Sequence, residues 1–523
     1  MKRFLRILVP TVLLAVSCDG KDIGGEPRDY SPFILAELKD SSAFGASFTV
    51  RSFDSKSIFL AASSGTMSAE EVLATGLETP TDRLNNAETI VTINGLECET
   101  SYIASILGIG PSGELSEVVS VPFCTTVGSE SRFSWGSERS GPPFFADVSL
   151  VTRGQHNSVA PLWSVDRFNS HITYTDSGDK EKWLFEAILC TEGFDSKRGY
   201  TLCISSRGQH SGTKESWQDL LDYWFAPDGT LSILEQAVAE AAGRIGEPPS
   251  PRYVIIGVPD PIIREYFTDK DSPTDYWGEL DGRRLDFADV QDQIKAYLWY
   301  IDECRKAFDE RKYPHLELAG FYVISEELPL AKSFFDKYGI SASESETWNA
   351  DSKRWEVILP ATASYLHSCN EGLYWVPYYL APGYRMWRKL GFDMAWMQPN
   401  HYWDTANQHP IENSLQAMIA LNMGIELEFE FSLVRDVMKD GRWGPDGAGR
   451  PTFRYNDIPA LEIRFKEYMD GYREANLYGV NSIAMYSGTD AMNQLARSTD
   501  PDDRKMYLEL CHFIADSPLR KRN

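Results

Sequence analysis

Between Gly424 and Phe431 apolar and acidic residues alternate, in the order Gly424-Ile425-Glu426-Leu427-Glu428-Phe429-Glu430-Phe431. With a period of two, a strand over this stretch turns Glu426, Glu428 and Glu430 to one face. Carboxylates gathered in this way repel one another and lose hydration unless partners or a chemical task compensate. Well upstream, Leu318-Ala319-Gly320-Phe321-Tyr322-Val323-Ile324-Ser325 reads as a buried strand that runs into Glu326 and Glu327. Two strand ends bearing glutamates are what glycosidic-bond cleavage needs. One carboxylic acid protonates the leaving oxygen, and one carboxylate attacks the anomeric carbon or activates water.

Such residues must be positioned by larger elements. From about Pro142 short apolar runs alternate with longer helical stretches, which predicts βα units and a parallel sheet. Eight strands are expected: 146–152, 183–190, 252–258, 317–325, 373–379, 392–399, 424–431 and 480–487. An amphipathic helix is expected from an N-cap at Asp286 to about Lys312. Others fit Tyr384 to Leu390, ended by Gly391; Ile411 to Met423, ended by Gly424; and Ile458 to Leu477. The fold class is therefore α/β, a (β/α)8 TIM-type barrel over residues 130–515. An open doubly wound sheet is the alternative, weakened because no Gly-x-Gly-x-x-Gly or Walker loop follows a strand.

Ahead of it, residues 31–126 read as short alternating strands separated by turns, an all-β sandwich. Leu96, a polar turn and then Tyr102 opening a strand resemble the tyrosine corner of fibronectin type III domains. Modules of this kind in anchored proteins are more often spacers than binding domains.

In a barrel the C-terminal strand ends form the active face. The fourth strand brings Glu326 and Glu327, and the fifth brings Tyr378 and Tyr379, which alternate faces. The sixth brings Gln398, Asn400, His401 and Trp403, the seventh Glu428 and Glu430, and the eighth Tyr486. Amides, phenols, an imidazole and an indole beside carboxylates suit a sugar ring. Each also has a bland reading. Glu426 is expected low in the barrel, paired with an Arg or Lys. Glu327 fits a helix cap or a solvated position, and Gln398 and Asn400 fit a turn around Pro399. Arg153 and His156, after the first strand, fit substrate contact and helix capping equally.

A glutamate ending strand four and another ending strand seven resemble the large clan of retaining glycoside hydrolases built on (β/α)8 barrels. That resemblance implies Glu326 as acid/base and Glu428 or Glu430 as nucleophile. Ser325 stands where the clan carries Asn, so Glu327 remains an alternative to Glu326. Residues 130–515 also resemble an uncharacterised family of bacterial lipoproteins, a domain of unknown function often found near polysaccharide-degrading genes. Gly320-Phe321-Tyr322, Gln398-Pro399-Asn400 and Gly424-Ile425-Glu426-Leu427-Glu428-Phe429 carry it.

Composition narrows the partners. Over 523 residues, 51 Lys and Arg against 76 Asp and Glu leave a net charge of −25, which argues against nucleic acid. No Gly-x-Ser-x-Gly supports a serine hydrolase. Cysteine and histidine spacings, His401 and His409 included, give no metal site, and no cofactor is called for. Cys98 with Cys124 and Cys190 with Cys203 are plausible disulfides, and buried free thiols fit equally well.

At the N-terminus Lys2, Arg3 and Arg6 precede an apolar run from Ile7 to Val16 and then Ala15-Val16-Ser17-Cys18. This resembles a bacterial lipoprotein signal over residues 1–18 with lipid on Cys18, followed by a tether over 19–30. The expectation is an outer-membrane lipoprotein, periplasmic or surface-exposed, that meets the membrane only through its anchor. Its partner would be a carbohydrate: a poly- or oligosaccharide substrate or, alternatively, a glycan bound without turnover.

Overall fold

The computed structural model describes residues 32–521 except 42–44, 54, 81–87, 95, 97–99, 126–141, 153–162, 204–208, 349, 351–353, 405–409, 441–452 and 489. Cys18 with its signal and tether, Cys98, Arg153, His156 and His409 lie outside the described residues.

The N-terminal part forms two antiparallel sheets. One holds three strands, Phe33–Ser41, Gly45–Phe53 and Glu88–Asn94. The other holds four: Ser57–Ser63, Leu77–Pro80, Ser101–Ile109 and Val119–Cys124. Alternation along these strands sends Phe48, Val50, Ile58, Leu60, Val91, Ile106 and Phe123 between the sheets. Tyr102 stacks on Phe123 with ring centroids 5.7 Å apart. The hairpin after Ile109 turns at Gly113, whose φ of 97° only glycine adopts readily.

Eight parallel strands then close into a barrel. They are β1 (Asp147–Thr152), β2 (Ala187–Thr191), β3 (Arg252–Val258), β4 (Leu316–Val323), β5 (Gly372–Trp375), β6 (Met394–Met397), β7 (Gly424–Glu428) and β8 (Ile483–Tyr486). Closure is direct, since β1 pairs with β2 on one side and β8 on the other. An open doubly wound sheet is thereby excluded. Continuous burial along β3 and β7 follows from helices outside and side chains inside. Between β4 and β5 the backbones meet at Gly320 and Gly372. A Cβ on Gly320 would lie 2.1 Å from the Gly372 carbonyl oxygen, so the pairing requires glycine there. At the N-terminal end Phe145 fills the interior against Tyr253, Tyr374 and Trp396.

Several expected boundaries move. Strand β2 begins at Ala187, because Glu181–Trp183 pairs antiparallel with Thr173–Thr175 instead. The long helix is Val290–Arg311, capped by Asp289, whose side chain accepts from the Gln291 N–H at 2.9 Å. Asp286 is not the cap: it accepts from Thr274 Oγ1 at 2.6 Å and the Ala288 N–H at 2.9 Å. Tyr384–Leu390 is a 3-10 helix closed by Gly391. Helix Ile411–Leu421 ends on Asn422 in the left-handed region, not on Gly424, and the last long connecting helix is Ile458–Glu474. Cys124, Cys190 and Cys203 are free thiols. Among the described residues no helix is long and apolar enough to cross a membrane.

Candidate active site

Strand β7 ends at Glu428, so the alternation is not one unbroken strand. Glu426 and Glu428 stay on its inner face and are buried, at 2% and 0% exposure. Glu430 lies past the strand as the residue before a short 3-10 turn, and it accepts from Ser432 Oγ. Strand β4 ends at Val323, and the chain continues through Ile324 and Ser325 to Glu326. This segment is pinned on two sides. Ser325 Oγ donates to Asp260 Oδ2 at 2.5 Å, and Trp375 Nε1 donates to the Ser325 carbonyl at 2.7 Å.

Four donors converge on Glu428. Tyr468 OH lies 2.7 Å from Oε2, the Asn400 N–H 2.7 Å from Oε2, Gln398 Nε2 3.1 Å from Oε1 and Trp403 Nε1 3.2 Å from Oε1. Asn400 can present its N–H this way because it takes a left-handed φ of 57°, which asparagine tolerates. Burial pushes the Glu428 carboxyl up to about 7, and the donors hold it back from rising further.

Glu326 is different. Its side chain reaches solvent, although the protein packed around it removes part of its hydration. Burial first, and the neighbouring Glu327 second, raise its pKa. Glu327 accepts from Tyr378 OH at 2.9 Å, and burial together with that carboxylate pushes the Tyr378 phenol up.

The two strand ends meet. Tyr486, at the end of β8, is pushed up by burial and then by the charges of Glu426, Glu326, Glu430 and Glu428. Glu426 in turn feels both Glu428 and Glu326. The C-terminal face of the barrel thus carries carboxyls from β4 and β7, both raised by burial, with four donors supplied to Glu428.

The side chains expected to touch a ligand divide into groups. Glu326, Glu327, Tyr378 and Tyr486 stand at the same strand ends as Glu430, with Glu428 buried among its donors. Gln398, Trp403 and the Asn400 backbone spend their donors on Glu428, so they position a carboxylate. The Asn400 side chain accepts from Gln398 Nε2 at 3.2 Å. Tyr379 packs on the barrel's apolar core. His401 is buried, meets Tyr468 edge-on at 5.7 Å and pairs with Glu467 at 2.6 Å, so it buttresses Tyr468 in place of a ligand.

The expectation that Glu426 pairs with an Arg or Lys is overturned. Burial and the Glu428 and Glu326 carboxyls act on it, all in the same direction. Tyr468 and Asp260 had no sequence signal of their own. Tyr468 lies on the buried face of its helix with Leu461, Phe465 and Tyr472, and a core phenol there reads like any other. Among the described residues no group of His, Cys, Asp or Glu is arranged to hold a metal ion.

No curated protein matches the chain. Among solved structures, the type III pullulan hydrolase from Thermococcus kodakarensis is similar at 13% identity and a TM-score of 0.36, over 93% of this chain and 86% of that one. Chitinase ChiA74 from Bacillus thuringiensis is similar at 16% identity and a TM-score of 0.14; the likeness spans 18% of this chain and only 13% of the chitinase. The fn3 domain of human collagen alpha-1(XX) chain is similar at 20% identity and a TM-score of 0.15, over 21% of this chain and 97% of that one. Residues 147–442, which run from β1 past the end of β7, match the family described as Domain of unknown function (DUF4855), and the chain belongs to that family.

Proposed function

We propose that the protein cleaves glycosidic bonds of a poly- or oligosaccharide, with Glu326 as general acid/base and Glu428 as nucleophile. The observation that carries this reading is the meeting of two unlike carboxyls from β4 and β7. Glu326, in its cleft beside Glu327, favours the protonated form that a leaving oxygen needs. Glu428 receives four donors, each of which favours its anion against the burial that raises it to about 7. After proton transfer Glu326 is a carboxylate and can take a proton from the water that releases the sugar, so the two roles return to their start. A covalent route on Glu428 retains the anomeric configuration, and NMR of the first product formed reads it.

Release of reducing ends from a glycan panel tests the assignment. Glu326→Gln should slow turnover roughly 10²–10⁴-fold on natural glycans, and far less on an aryl glycoside whose leaving group needs no proton. Glu428→Gln should abolish turnover on both substrates while binding persists. Wild-type rates in both variants would remove the proposed roles, and binding without turnover in the wild type would leave a glycan-binding protein.

The same reading includes a lipid anchor on Cys18, an outer-membrane location, and a fibronectin type III-like spacer over residues 31–126 that holds the barrel away from the membrane. Metabolic labelling with a fatty acid, lost in Cys18→Ala, tests the anchor.

A further inference from the structure

Glu426 is unlike every other carboxyl near the cleft. It lies two residues before Glu428 on the inner face of β7, where successive same-face side chains sit roughly 7 Å apart. It is buried inside the barrel, and among the described residues no hydrogen-bond donor or cation reaches it. The titratable groups that face it are Glu428 on its own strand, Glu326 and Tyr322 from the β4 segment, Tyr486 from β8 and Tyr468 from helix Ile458–Glu474. None of them is a cation. At 2% exposure, with no donor or cation among the described residues, the ionised form of this carboxyl is costly. Its neighbour is the opposite case, with four donors aimed at two oxygens. Two buried carboxyls this close ionise in turn, not together.

We infer that Glu426 is a resident neutral carboxylic acid, the member of the Glu426–Glu428 pair that keeps the proton, and thereby a positioning residue that fixes the negative charge on Glu428. The role within catalysis rests on the reading of Glu428 as the reactive anion; the protonation state itself does not.

The test uses the full chain and Glu426→Gln, which keeps shape and neutrality. The folded wild type holds a proton on Glu426 that the unfolded chain loses once pH passes the ordinary glutamate range. Its stability therefore falls as pH rises, and the glutamine variant is spared this loss. The melting temperature of Glu426→Gln relative to wild type should climb between pH 5 and pH 8. A difference that stays flat, or that falls with pH, overturns the assignment. Should the glutamine variant fail to fold, Glu426→Met supplies the same comparison. Infrared spectra of the wild type supply another, in which a protonated carboxyl band persisting at pH 8 is expected and its absence overturns the idea. In activity the readout is the position of the acid limb of kcat/KM, which Glu426→Gln, keeping a neutral group there, should displace by less than half a pH unit. A displacement of more than one unit would place the charge on Glu426 instead. If no glycan is turned over by any form while the melting behaviour is as expected, the proposed function fails and the proton assignment stands.

Discussion

At the N-terminal end of the barrel Asp147 and Glu186 meet two guanidiniums, whereas at the C-terminal end Glu326, Glu426 and Glu428 meet phenols, amides and an indole. Arg520 makes a bidentate pair with Asp147, both contacts at 2.7 Å, and also donates to the Leu184 carbonyl at 2.6 Å. Arg252, held by the Phe185 carbonyl at 3.1 Å, is brought down to about 10 by burial and by Arg520. Acid and base are matched there, so protonation has nothing left to do but hold the structure. At the other end the acids have no matching cation among the groups that shift them, and Glu326 and Glu428 are free to lose and regain their protons. The comparison teaches where to look for chemistry in this fold: among the buried carboxyls that the protein has declined to neutralise.

Breaking the lower cluster should have the largest effect on stability. Arg520→Ala takes the bidentate partner from buried Asp147 and leaves it the Glu186 N–H, and about 3–5 kcal/mol of unfolding free energy should be lost in denaturant titrations. Activity per folded molecule should be unchanged. A stability loss well under 1 kcal/mol would mean that the two ends are not so different.

Next in size is the pH dependence of turnover. Glu428 must be ionised, so kcat/KM should fall as pH drops through the region of about 7 to which burial raises it. Glu326 must be protonated, so activity should fall again as it loses its proton, and burial moves that alkaline limb upward from the ordinary carboxyl range. On an activated aryl glycoside Glu326→Gln should lose the alkaline limb alone. A profile flat through pH 5 would remove Glu428 as the titrating anion.

The smallest effect sharpens the picture. Tyr468→Phe deletes one of four donors to Glu428 and so makes its anion less favourable. The acid limb should move to higher pH by about 1 unit, with kcat falling about tenfold. A shift to lower pH would reverse the assigned role of the phenol.

Much of this was legible in the residues before any coordinates. Fully buried strands such as Arg252–Val258 announce themselves as unbroken apolar runs, and the alternation after Gly424 put Glu426 and Glu428 on one face because a strand's period is two. What could not be read was the partner of each group. Nothing in the spacing says that Gln398 and Trp403 turn to Glu428, since that depends on how the loop after β6 folds over β7. His401 looked equally available and is taken by Glu467, a residue of a different segment. The state of Glu426 is hidden for the same reason: burial of a carboxylate implies compensation, and a sequence does not distinguish a counter-ion from a retained proton.

The clasp between Arg520 and Asp147 joins residues 373 positions apart. During synthesis at roughly 5–20 residues per second, the first strand of the barrel waits some 20–75 s for that partner to be made. For most of that delay, until Ile483–Tyr486 is made, its β8 edge stays unmated, an invitation to the wrong neighbour. Maturation of this protein is therefore a late, all-at-once event, and a nascent chain halted a few dozen residues early should be a client for chaperones and proteases.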